Sequence, residues 1–68
     1  MARAFIGSTE CRVQTDRDLG ESWAVTVTPA DPSAAPIVVK LQANDKEKAT
    51  KGALEILQKH GRIDRFEA

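Results

Sequence analysis

The stretch from Asn44 to Gly61, NDKEKATKGALEILQKHG, decides the fold, and the rest of the chain is read outward from it. At about 100° per residue it makes an amphipathic helix. Ala49, Gly52, Ala53, Ile56, Leu57 and His60 fall on one stripe, with Glu47, Lys51, Glu55 and Gln58 opposite. Leu54 falls beside that stripe, next to Thr50 and Gln58. Asn44 or Asp45 can accept from the first free backbone N–H groups, with Glu47 three residues after Asn44 as in a capping box. Gly61 supplies a left-handed closing residue, and Lys59 and His60 stand where the helix dipole welcomes positive charge. The expected helix therefore spans about residues 45–60.

Upstream, the period changes to two. Glu21 to Thr28, ESWAVTVT, alternates Trp23, Val25 and Val27 against Ser22, Ala24, Thr26 and Thr28, the mark of a half-buried strand. Pro29 ends it by withholding an N–H from the ladder. PADPSAAP holds all three prolines of the chain and reads as a stiff loop, residues 29–36. Ile37 to Ala43 returns as a strand with Ile37, Val39, Leu41 and Ala43 inward. Residues 4–14 alternate as a first strand, Phe5, Gly7, Thr9, Cys11 and Val13 on one face and Ile6, Ser8, Glu10, Arg12 and Gln14 on the other, with Gly7 and the polar residues around it the place for a bulge. TDRDLG is the short, charged connection that makes its neighbour antiparallel. Residues 62–68 form a tail that docks Phe66, as a half-turn or a short strand.

The expected fold class is α+β: a three-stranded antiparallel meander packed against one C-terminal helix, β-β-β-α, in two layers. Residues 1–68 form a single domain.

With 4% aromatics, the core is aliphatic around Phe5, Trp23 and Phe66. One Cys and one His exclude an internal disulfide and the paired spacings of a structural zinc site, so no metal or cofactor is expected. A domain this short, lacking those staples, gains stability from a partner, which points to a homodimer or another protein. The outer sheet face, which reads equally as an ordinary solvated face, and the helix flank, where Leu54 reads also as a flanking core residue, supply the expected interface residues Ile6, Ala24, Val38 and Leu54. Ten basic and ten acidic side chains cancel, so no global field draws the chain to nucleic acid or lipid. No run approaches the roughly 20 apolar residues of a membrane span, and the first residues do not build a signal peptide. A cytoplasmic location follows as the expectation.

Cys11 and His60 are the only candidates for a nucleophile and its base. No acid partner and no Gly-rich oxyanion turn accompanies them, so Cys11 reads as a small inward residue and His60 as a cap-side cation. The expectation is a non-enzymatic module. Lys46, Lys48 and Lys51 crowd the helix start, where free N–H groups and positive charge suit a phosphate. Glu47/Lys51, Lys51/Glu55 and Glu55/Lys59 also form the i,i+4 ladder of a solvated helix.

KEKATKGALEIL, preceded by a strand pair, resembles the closing helix of the double-stranded RNA-binding domain, whose pattern runs from lysines through alanines to a leucine-rich end. The resemblance covers residues 21–61 and implies that Lys46, Lys48 and Lys51 stand near that family's phosphate-binding lysines. It places Ala49, Ala53, Leu54 and Leu57 on the packing side and makes nucleic acid the alternative partner. The chain departs from the family in lacking a first helix, in Glu47 where a second consecutive lysine belongs, and in the PADPSAAP loop. The β-β-α order, with Trp23 in the first strand of the pair and a Lys-Ala opening to the helix, is also similar to small bacterial domains.

Overall fold

Two residues, Gly7 and Ser8, decide how the amino-terminal third folds. In the computed structural model, which describes residues 2–67, Gly7 adopts φ +62° between Ile6 and Thr9, which face each other across a two-residue turn. A left-handed first position is what a type II′ turn requires, and its twist matches that of paired strands. The run expected as one strand is therefore a hairpin of β1 (Arg3–Ile6) and β2 (Thr9–Arg17). β3 (Ser22–Thr28), β4 (Ile37–Gln42), α1 (Lys46–Lys59) and β5 (Arg65–Glu67) follow. The α+β expectation holds at the level of one antiparallel sheet and one C-terminal helix, but the sheet has five strands, in the order β4-β3-β2-β1-β5.

The turn also changes which side chains point inward. Alternation counted straight through residues 4–14 puts Phe5 and Val13 on one face. Pairing Ile6 with Thr9 shifts the phase by one. Ala4 and Ile6 consequently join Cys11 and Val13 on the helix side, whereas Phe5 lies on the outer face beneath the Arg65 guanidinium, 4.0 Å from the ring centroid. The tail is a strand rather than a half-turn: Phe66 pairs with Ala4, and Asp64 N donates to Phe5 O at 2.8 Å.

β2 is long and its two halves have different neighbours. Residues 9–12 pair with β1, and residues 12–17 pair with β3. The sheet is thus stepped about β2, leaving a notch on each side of it.

α1 closes the inner face. Its start is capped by Asp45, whose carboxylate accepts from Lys48 N at 2.8 Å; Lys48, not Glu47, holds the third helical position, so the capping box is not formed. Its end is a Schellman closure: Gly61 at φ +73° donates to Gln58 O at 3.1 Å and Arg62 N to Leu57 O at 2.8 Å. The buried stripe is Ala49, Thr50, Ala53, Leu54 and Leu57, rotated by roughly 60° from the expected one at 100° per residue. Ile56 is 41% exposed and His60 is exposed, while Leu54 is fully buried.

Width explains the rotation. A five-stranded sheet extends past β2 to β1 and β5, and the helix turns Leu54 and Leu57 toward that side, where they join Ala4, Cys11, Val27 and Ile63. On the opposite flank Gly52 sits against β4, where an added Cβ would lie 3.1 Å from Leu41 Cδ1. Burying Leu54 alone contributes about 1.5–3 kcal/mol. One polar pair crosses the layers: the Thr15 and Thr50 hydroxyls lie 2.6 Å apart, and Thr50 donates to Lys46 O at 2.9 Å, so Thr15 is the donor to Thr50. Trp23 is half-buried at the sheet's end, its indole N–H on Ala43 O at 3.1 Å and Arg17 beside its ring. The valines, not the tryptophan, fill the centre.

Candidate interaction surface

The outer face of the sheet follows from the buried one. Val25 and Val27 have no exposed surface, so alternation sends Ala24, Thr26 and Thr28 outward. Register extends the rows. Gln14, Thr26 and Val38 lie side by side on β2, β3 and β4, as do Asp16, Ala24 and Lys40; Arg12 lies beside Thr28. Toward β1 the charges thicken: Arg3 faces Arg12 on one side and Glu67 on the other, and Phe5 lies between Glu10 and Arg65. Arg3 Nε reaches Glu10 Oε2 at 4.0 Å, both side chains more than half exposed, a pair worth little to stability.

Of the four expected interface residues, two belong to this face. Ala24 is half-buried and Val38 is 54% exposed. Ile6 stands on the helix side at the sheet's margin because of the hairpin's phase shift. Leu54 is fully buried in the monomer core and has no surface to offer a partner.

The helix-start lysines do not converge. Lys46 lies beside the notch lined by Val13, Thr15, Asp16 and Thr50. Lys48 and Lys51, three positions apart, share their side of the helix with Glu47 and Glu55, and all are exposed. The place a phosphate would take at the first free N–H groups is held by the Asp45 carboxylate.

Cys11 and His60 are likewise apart in role. Cys11 is buried on the inner sheet face, and His60 is the exposed helix cap. Burial pushes the Cys11 thiol above its ordinary value, against the pull of a backbone hydrogen bond with Ile6, and the nearby Glu10 charge adds to the rise. A thiol held protonated is a poor nucleophile. The notch beside it, about 660 Å³, is lined by Arg3, Glu10, Arg12, Thr28 and Pro29. Among the described residues no group of three or more His, Cys, Asp or Glu side chains is placed to hold a metal ion, and no helix is long and apolar enough to cross a membrane. Asp31, at the head of the proline loop, accepts from Ser33 N at 2.9 Å and Ser33 Oγ at 2.8 Å, which lowers its carboxyl pKa and fixes the turn.

No family model, curated protein or solved structure matches the chain.

Sequence reasoning missed the Arg3, Phe5 and Arg65 side of this face. Ile-Gly-Ser-Thr was the signal available for it, because Gly-Ser between two alternating runs is a hairpin marker.

Proposed function

We propose that this protein is a small non-enzymatic interaction module of the cytoplasm that pairs with a second copy of itself through the outer face of its sheet. The observation that carries the reading is Val38, 54% exposed at the end of the uncharged Gln14, Thr26, Val38 row, on the face that α1 does not cover. Ala24 and Thr28 adjoin that row on β3, with Asp16 and Lys40 on either side of Ala24 and Arg12 beside Thr28.

The core gives a physical reason for such pairing. Among the described residues three of the nine buried apolar ones are alanines, Ala4, Ala49 and Ala53, so little aliphatic bulk is buried. A domain of this size buries only roughly 60% of its unfolded surface, and association adds stability by mass action. Stacking open sheet faces is the ordinary way antiparallel sheets acquire a second layer. The withdrawn, protonated Cys11 supports the non-enzymatic part of the reading, and a lone thiol stays reduced in the cytoplasm.

Size also sets the strength. Three strands at about 4.8 Å and five residues at about 3.3 Å give roughly 240 Å² of projected face, well below the ~800 Å² per partner of a standard interface. So small a face belongs with weak, transient pairing. Sedimentation equilibrium across concentration should show monomer passing to dimer, with a Tm that climbs as protein is added. Val38→Lys should hold the chain monomeric without changing its urea midpoint at low concentration. A monomer mass at every concentration, with a constant Tm, would end the proposal.

A further inference from the structure

Taking self-association through the outer face as given, we infer that the two faces stack about a two-fold axis that crosses the strands at the Gln14, Thr26, Val38 row, so that Arg12 of each copy meets Asp16 of the other. β2 presents Arg12, Gln14 and Asp16 in turn on that face, a cation, an amide and an anion two residues apart. Each charge thus lies about 6.6 Å from the centre of the row, on opposite sides. A two-fold axis through Gln14 exchanges the two positions, and an isologous interface repeats every contact it makes. One geometric choice therefore yields two ion pairs.

Among the described residues neither charge has an ion-pair partner within one chain, although Lys46 lines the same notch as Asp16. Arg12 faces Arg3 and Thr28, and Asp16 faces Ala24. The single ion pair among the described residues is Arg3 with Glu10, and Asp16 takes hydrogen bonds only from the Gln14 amide, at 3.1 and 3.4 Å. Like charges directly opposite each other on a sheet are destabilising, so Arg3 opposite Arg12 is a cost that a carboxylate from outside relieves. Stacked sheets lie about 10 Å apart, a gap that an arginine and an aspartate reaching from opposite sides can span.

The other simple axis does not give this. A two-fold axis running along the strands between β2 and β3 lays Arg12 over Thr28 of the second copy and leaves both charges unmatched. Pairing along the free edge of β4 meets Lys40 in the middle of that strand, the kind of residue that discourages edge association. The transverse axis instead sets Val38, Thr26 and Gln14 each against its own copy, with Ala24 over Thr28.

Sedimentation velocity on the whole chain, at low and moderate salt, tests the arrangement with Arg12→Asp, Asp16→Arg and the double swap. Both positions are exposed, and urea melts at low concentration verify that each variant folds. Each single change sets like charges together twice, so dimer Kd should rise tenfold or more, and the double swap should bring it back to within threefold of the parent. If the parent chain dimerises but the double swap is as weak as the singles, or the singles change nothing, this axis is wrong. If the parent chain is monomeric, the self-association reading falls first and takes the axis with it.

Discussion

Truncating Leu54 and Ile56 to alanine, one at a time, gives a direct reading of how α1 sits on the sheet. The two residues are one turn-half apart on the same helix and carry the same number of carbons, but Leu54 is fully buried and Ile56 is 41% exposed. Leu54 packs with Ala4, Cys11, Val27, Leu57 and Ile63, so its loss opens a hole in the main cluster. Such truncations cost about 2–5 kcal/mol when the site cannot collapse. Sixty-eight residues at about 0.05–0.15 kcal/mol each give a total stability of roughly 3–10 kcal/mol. Leu54→Ala should therefore leave the domain near its unfolding limit. Ile56→Ala gives up only part of a side chain that already meets water and gains helix propensity, so it should stay within about 1 kcal/mol of the parent. Urea melts followed by far-ultraviolet circular dichroism, with unchanged m-values, would measure both. If Leu54→Ala fails to fold, Leu54→Val supplies the smaller step on the same scale. The helical stripe expected from sequence alone makes the reverse ranking, with Ile56 inside and Leu54 at its flank. A larger loss at Ile56 than at Leu54 would refute the packing described here.

Two further outcomes follow from polar groups in or near the core. Thr50→Val leaves the Thr15 hydroxyl without its acceptor and should cost about 1–3 kcal/mol; adding Thr15→Val should recover part of that loss in a double-mutant cycle. Cys11 should alkylate more slowly in the native chain than in urea between neutral pH and pH about 9, since its folded pKa is raised above the ordinary thiol value. A raised folded value means the native state holds that proton more tightly, so the stabilisation is complete below the ordinary thiol range and is lost as pH climbs through the native value. Urea midpoints compared with Cys11→Ala should show the alkaline decline shallower in the variant; equal slopes would mean the thiol is not coupled to folding.

What was legible in the sequence, and what was not, divides along a physical line. β3, β4 and α1 are each bounded by a residue that breaks regular structure, Pro29, Pro36, Asp45 or Gly61, and their expected limits lie within one residue of the observed ones. The hairpin at Gly7 was hidden because alternation on either side of a two-residue turn looks continuous unless the phase is checked across it. That single shift sent Phe5 outward and Ile6 inward. The rotation of α1 had no local signal. It depends on the sheet's width, which depends on β1 and β5 joining it, and a three-residue strand such as Arg65–Glu67 leaves almost no periodicity to read. Of the candidate surface, Ala24 and Val38 are readable because β3 and β4 are; Leu54, beside the expected stripe, reads as interface or as flanking core and the structure makes it core, while Phe5, Arg3 and Arg65 emerge only once the strands are assembled.

The proposed pairing brings the uncovered side of the sheet against a second copy. Amide NMR spectra recorded while the chain is diluted from millimolar to low micromolar test it residue by residue. Shifts that move with concentration should cluster at Arg12, Gln14, Asp16, Thr26 and Val38 and leave the solvent side of α1, Lys51 and Glu55, unmoved. Spectra that do not change on dilution, or changes confined to the helix, would contradict it.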